Sequence, residues 1–250
     1  MRRPLIAANW KMHKTVADGL AFVGAFLAGG DADGELVDVV IAPPFTALFS
    51  IAEALNGTSV ALGAQTMHYA QQGAFTGEIS PLMLRDLGVT YVILGHSERR
   101  EHYGEMDADV NLKMKSALAH GITPIVAVGE TAAEHELGLT HERVVTQARA
   151  AFEDIAPGDI AQCVVAYEPI WAIGTGHSDT PENANAVMGT IRACLPALAD
   201  VRILYGGSVK PETIAAFMAQ PNIDGGLVGG ASLTVESFGP LVRHARRVLA

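Results

Sequence analysis

Cysteine is nearly absent from this chain: Cys163 and Cys194 are the two among 250 residues, both in apolar surroundings and without metal-ligand or redox spacing. That sets aside a disulfide framework and a thiolate metal site, and reduced core thiols make the cytoplasm the natural compartment. Basic residues are also scarce, 17 Lys and Arg against 27 Asp and Glu, for a formal net charge of -10. No basic block is long enough to follow a phosphate backbone, so no nucleic-acid partner is expected, and an anionic small substrate would need local positive groups. Long hydrophobic runs are missing as well. None approaches the roughly 20 apolar residues of a membrane span, and Leu5 to Ala8 is too short for a signal peptide, so no membrane partner is expected either.

What the chain does have is apolar material, 49% of it, enough for a sizeable core in one domain over residues 1–250. Short apolar runs at 5–10, 37–42, 59–63, 90–95, 122–127, 162–167, 201–205 and 224–228 are expected strands. Longer amphipathic patterns at 16–29, 45–55, 80–87, 105–119, 131–153, 181–196, 211–219 and 236–249 are expected helices. Ser80-Pro81 and Thr180-Pro181-Glu182 place a capping residue before a first-turn proline. Strict alternation implies parallel strands joined by helical crossovers, and runs such as Val39-Val40-Ile41 are apolar on both faces, as in a sheet covered on both sides. Eight such units match a closed (β/α)8 barrel, an α/β fold of eight parallel strands enclosed by helices. A doubly wound open sheet would give the same periodicity.

Two connections stand apart. Residues 64–79 are too long and too apolar for an ordinary βα turn, with Met67, Tyr69 and Phe75 expected to be exposed, which suggests a loop that docks against another subunit. Residues 169–177 follow the strand run Val164 to Tyr167 and Glu168. Pro169 ends the strand, Ile170 to Ile173 are apolar, and Gly174 and Gly176 break regular structure, the composition of a lid beside a carboxylate. A surface turn with a solvated Glu168 is the plain alternative.

In a barrel all strand C-termini meet on one face, and several of these ends carry polar groups: Asn9 and Lys11, Gly95-His96-Ser97-Glu98, Glu168, Tyr205-Gly206-Gly207-Ser208, and Gly229-Gly230. Singly, a Lys there is a solvated charge, a His a helix cap and a Gly pair a turn. Together they have no packing rationale. The two glycine turns would let backbone amides approach an anion, and a short helical turn at 231–235 would add its N-terminus, a phosphate cradle built without arginine.

The segments Ala8-Asn9-Trp10-Lys11-Met12, Gly73-Ala74-Phe75-Thr76-Gly77-Glu78, Leu94-Gly95-His96-Ser97-Glu98-Arg99-Arg100, Tyr167-Glu168-Pro169-Ile170-Trp171-Ala172-Ile173-Gly174-Thr175-Gly176, Tyr205-Gly206-Gly207-Ser208 and Leu227-Val228-Gly229-Gly230-Ala231 resemble the triosephosphate isomerase family, in order and across the whole chain. The resemblance implies a cytoplasmic, homodimeric barrel of glycolysis and gluconeogenesis. It would interconvert glyceraldehyde 3-phosphate and dihydroxyacetone phosphate, a triose phosphate substrate, without metal or cofactor. By the same resemblance Glu168 is the base, neutral His96 the electrophile and proton shuttle, and Lys11 and Asn9 stabilise the substrate oxyanion and phosphate. Glu98 is the further carboxylate beside Lys11. Gly174, Ser208, Gly229 and Gly230 hold phosphate, Ser97, Ile173 and Tyr205 support the lid, and Thr76 enters the partner's rim. His177 stands where the family usually has Lys, and Ala127 replaces a common Cys; the expected effects fall on lid kinetics and core packing. Two rivals remain: another phosphate-binding barrel isomerase or lyase, and a catalytically silent phosphosugar-binding or adhesive protein.

Overall fold

The computed structural model describes residues 2–31, 36–173 and 178–247. Its strands are Leu5–Asn9 (β1), Asp38–Ala42 (β2), Ala61–Ala64 (β3), Tyr91–Leu94 (β4), Thr123–Val128 (β5), Val164–Tyr167 (β6), Arg202–Tyr205 (β7) and Gly225–Val228 (β8). Each pairs in parallel with the next, and β8 returns to β1 in the register Leu5 to Gly225 through Ala8 to Val228, so the sheet closes. Closure decides for the barrel over the open sheet. Strand boundaries fall within two residues of those expected, because β-branched runs bounded by Gly or Pro leave little choice.

Side-chain alternation sorts the strands into two phases. Leu5 and Ala7, Val40 and Ala42, Ile125 and Ala127, Val164 and Ala166 belong to one small cluster that fills the barrel lumen. Ile6 and Ala8, Val39 and Ile41, Val165 and Tyr167 point outward into the larger core beneath the helices. Ala127, in the lumen set, is fully buried and bears on packing. The lumen phase continues to the strand ends and past them, and its next positions are Asn9, the last residue of β1, Lys11 beyond it and Glu168 after β6. It also reaches Gly95, Gly129, Gly206 and Gly229. Period-two geometry thus points the polar residues over the lumen and leaves glycines between them.

The helices are Val16–Ala28 (α1), Leu48–Leu55 (α2), Pro81–Asp86 (α3), Ser97–Tyr103 (α4), Asp107–Ala119 (α5), Ala132–Glu136 (α6), Thr140–Ala151 (α7), Pro157–Ile160 (α8), Pro181–Ala193 (α9), Ile214–Met218 (α10) and Val235–Arg247 (α11). None among the described residues is long and apolar enough to cross a membrane. In α1, Thr15 and Asp18 form a reciprocal capping box, a device that contributes about 1 kcal/mol. Its buried stripe Gly19, Phe22, Val23 and Phe26 packs on the barrel, with Phe22 edge-on to Trp10 at 5.1 Å between ring centres.

Four expectations need correction. The helix over 131–153 is two, because the Thr131–Glu134 capping box starts one and Gly138, at φ 71°, ends its run before Thr140 starts the next. The helix over 105–119 is preceded by α4, which ends at Gly104 in the left-handed conformation. The pattern at 211–219 folds only over α10, and α8 was not anticipated. Met67 is fully buried, whereas Tyr69 and Phe75 are 40% and 43% exposed and sandwich the His68 ring at 4.3 and 4.1 Å. The loop therefore keeps one apolar anchor inside and holds two rings out.

Candidate active site

One cavity of about 400 Å³ opens at the C-terminal ends of the strands, lined by Asn9, Lys11, His96, Glu168 and Ile173, the segment from Gly206 to Lys210 and the segment from Leu227 to Ala231. Glu168 is 2% exposed. Its Oε1 lies 3.0 Å from His96 Nε2, and its Oε2 accepts the Ser97 backbone N–H at 2.8 Å. Burial alone would raise its pKa, but His96, the Ser97 amide and Lys11 outweigh burial and hold it below the ordinary carboxylate range. The carboxylate is thus ionised in a water-poor place, which a proton abstractor needs.

His96 is the N-cap of α4 through its own ring: Nδ1 accepts the Glu98 backbone N–H at 3.2 Å. Ser97 is the first residue of the helix, and its amide is what reaches the site. A ring nitrogen that accepts must carry a lone pair, so this geometry puts the imidazole proton on Nε2, toward Glu168. Burial and Lys11 lower the His96 pKa, while Glu168 and Glu98 raise it and prevail when the carboxylate sits at 3.0 Å. The amide at Nδ1 and the positive end of α4 favour the neutral ring once that carboxylate is engaged elsewhere.

Lys11 takes a left-handed backbone, φ 50°, which costs an ordinary residue of order 1 kcal/mol or more. Two contacts hold it there. Its N–H donates to Asn9 Oδ1 at 3.0 Å, and its carbonyl accepts Gln65 Nε2 at 2.9 Å. Nζ then reaches Glu98 Oε1 at 2.6 Å, uniting the two strand ends. Glu98 faces the neighbouring hollow, with Lys11 and His96 at the shared wall. Opposite them, Gly206 and Gly207 pass where side chains would collide: a Cβ on Gly206 would stand 2.9 Å from Glu168 Cγ, and one on Gly207 2.2 Å from the Tyr205 hydroxyl. The turn expected at 231–235 is a single 3-10 turn over Gly230–Ser232, with Ser232 Oγ donating to the Gly229 carbonyl at 2.7 Å.

Several sequence-expected residues lie apart from this cavity. Thr76 is exposed on the loop between β3 and α3. Tyr205 is fully buried, its hydroxyl without a hydrogen-bond partner among the described residues, and burial pushes its pKa up. Gly174 and His177 lie outside the described residues, so of the expected lid only 169–173 is described.

Residues that position the site were missed by sequence reading. Glu105 accepts the Gly95 N–H at 3.1 Å and pairs with buried Lys113, while Arg100 Nε donates to the Gly95 carbonyl at 2.7 Å, so both faces of that peptide turn are held where His96 begins. Glu130, fully buried, gathers the lid's root: its Oε1 accepts Tyr167 Oη at 3.1 Å and Trp171 Nε1 at 2.8 Å, and the His135 ring stacks on Trp171 at 4.3 Å. Burial raises the Glu130 pKa against those hydrogen bonds. Gln65 and Glu105 carry no local motif. Glu130, two residues past the end of β5, comes nearest to the pattern that marks Glu168, a carboxylate just after an apolar strand.

A closed eight-stranded α/β barrel in which a buried carboxylate, an imidazole and an ammonium converge at the strand ends is the architecture of a barrel enzyme. The family profile described as Triosephosphate isomerase matches residues 4–245. The chain belongs to the triosephosphate isomerase family and is an isomerase. It is 53% identical to the triosephosphate isomerase of Herpetosiphon aurantiacus, covering 97% of this chain and 99% of that protein. It is 49% identical to that of Caldanaerobacter subterraneus, covering 98% and 100%. The crystal structure of triosephosphate isomerase from Bartonella henselae superposes with a TM-score of 0.88 at 33% identity, covering 98% and 99% of the two chains.

Proposed function

We propose that this chain interconverts glyceraldehyde 3-phosphate and dihydroxyacetone phosphate through an enediol(ate), in the cytoplasm, as a step of glycolysis and gluconeogenesis. The observation that carries this reading is the buried Glu168 carboxylate 3.0 Å from His96 Nε2, in a cavity whose far wall is two glycine turns. Glu168 takes the proton from the carbon next to the carbonyl, and the C–H electrons move onto the carbonyl oxygen. Neutral His96 donates Nε2–H to that oxygen and then passes protons between the two substrate oxygens. Lys11 and Asn9 stabilise the developing oxyanion, with Glu98 holding the ammonium at 2.6 Å. Protonated Glu168 returns its proton to the neighbouring carbon, and the isomer leaves. Ser208, Gly229, Gly230 and Gly174 present backbone to the phosphate, while residues 169–177 close as a lid, with Ile173 over the base and Ser97 and Tyr205 supporting it.

An assay coupling dihydroxyacetone phosphate formation to its reduction is expected to give turnover with glyceraldehyde 3-phosphate as the sole added substrate and no added metal. Absence of turnover with a folded chain would overturn the reading in favour of a phosphosugar-binding protein.

We also infer a homodimer, in which residues 64–79 dock against a second copy and Thr76 enters that copy's rim. The support is exposed apolar surface that is costly in water: Met12, 94% exposed, and Tyr103, 70% exposed, line the same hollow beside the cavity, and Tyr69 and Phe75 are 40% and 43% exposed on the docking loop. Sedimentation equilibrium at micromolar concentration is expected to return twice the chain mass; a fully active monomer would refute the docking role.

A further inference from the structure

We propose that Lys210 is a second cation of the phosphate subsite, one that captures the substrate dianion without touching the reacting carbon. This rests on the isomerase reading and deepens it. The charge balance of the cavity motivates it. Among the described residues its charged lining consists of Lys11, Lys210 and Glu168, and Lys11 is bound to Glu98 at 2.6 Å. With Lys210 counted these four side chains cancel; without it a dianion must enter a site of net negative charge, on a chain that carries -10. A favourable entry needs positive charge that is not already neutralised.

Lys210 meets that condition. No Asp or Glu oxygen lies within ion-pair distance of it among the described residues, whereas each cation paired on this rim, Lys11 included, has a carboxylate partner. It is two residues past Ser208, in the segment from Gly206 to Lys210 that lines the cavity. Its backbone is pinned. The N–H donates to Thr213 Oγ1 at 3.1 Å, and the carbonyl accepts the Thr213 and Ile214 amides at 3.0 and 3.1 Å. Pro211 fixes the chain on the other side. An exposed lysine on an anchored stem is a charged arm of limited sweep, which a dianion reaching the glycine turns would meet at its edge.

The test is Lys210→Gln, assayed with glyceraldehyde 3-phosphate and with glyceraldehyde, which lacks the phosphate, at ionic strengths of about 0.01 M and about 1 M. At low salt the ratio of kcat/KM for the phosphorylated over the unphosphorylated substrate should fall about tenfold, through KM more than kcat. The deficit should narrow at high salt, and Lys210→Arg should restore most of the ratio. A change below twofold at low salt, or equal losses on both substrates, would overturn the proposal. Calorimetric titration with inorganic phosphate decides the point independently of turnover: weaker binding to Lys210→Gln than to the wild-type chain supports it, and equal binding refutes it. Failure of the isomerase reading would instead appear as a wild-type chain that does not turn over.

Discussion

Replacing Glu168 with Gln is expected to lower kcat by about a thousandfold, the range attributed to a positioned general base, while KM changes by less than about threefold. The substitution keeps the shape and one carbonyl oxygen, so the Ser97 amide retains an acceptor where Oε2 now sits at 2.8 Å. The amide nitrogen, by contrast, would face the His96 Nε2–H, which now donates at 3.0 Å. One hydrogen bond is lost or rotated, a stability change of about 1 kcal/mol that leaves the fold intact by circular dichroism. Steady-state kinetics with both triose phosphates checks the result, since a residue acting in both directions loses the same factor each way. Wild-type turnover in the folded variant would end the assignment of Glu168 as base. Glu168→Asp should fall between the two, with the carboxylate present but withdrawn from the carbon it serves.

Gly129→Ala is expected to destabilise the chain by more than about 4 kcal/mol, among the largest effects a single methyl can have. A Cβ at this position would stand 1.8 Å from the Glu168 carbonyl oxygen. Neither backbone can retreat. The Glu168 N–H donates to the Val128 carbonyl at 2.8 Å, and the Gly129 N–H donates to buried Gln147 Oε1 at 2.7 Å. The matched comparison is Gly24→Ala on the exposed face of α1, where an added methyl meets nothing within 4 Å and should stabilise by about 0.5–1 kcal/mol. Urea unfolding followed by circular dichroism measures both. A Gly129→Ala chain within about 1 kcal/mol of wild type would mean that β5 and β6 separate more readily than this packing implies.

The strands were legible in the sequence because a buried parallel sheet leaves continuous apolar runs, and the rim was legible because ionisable residues directly after such runs break the pattern visibly. Glu168 and Lys11 stood out for that reason. Closure of the sheet was not legible: it rests on the Leu5 to Gly225 register, a pairing of residues at opposite ends of the chain that no local pattern encodes. The same distance hid the supporting residues. Gln65 acts on Lys11 and Glu130 on Trp171, each about forty or more residues away, and nothing local to either names its partner. The split of the helix at 137–139 is written in Thr131, Glu134 and Gly138, but the amphipathic period runs through those residues without a break and masks it. His96 was read as an electrophile by resemblance, and its second duty as the cap of α4 follows only from the 3.2 Å contact with the Glu98 amide.

Ring closure also orders events during synthesis. Asn9 and Lys11 leave the ribosome about 220 residues before Gly229 and Gly230, an interval of roughly ten to forty seconds at ordinary translation rates. Until β8 pairs with both β7 and β1, β1 has one unpaired edge and the cavity has no far wall. A nascent chain can therefore possess the base, the imidazole and the ammonium and still have nowhere to seat a phosphate. Chains cut short by premature termination would therefore carry an unfinished site, open to water on the side that β8 closes.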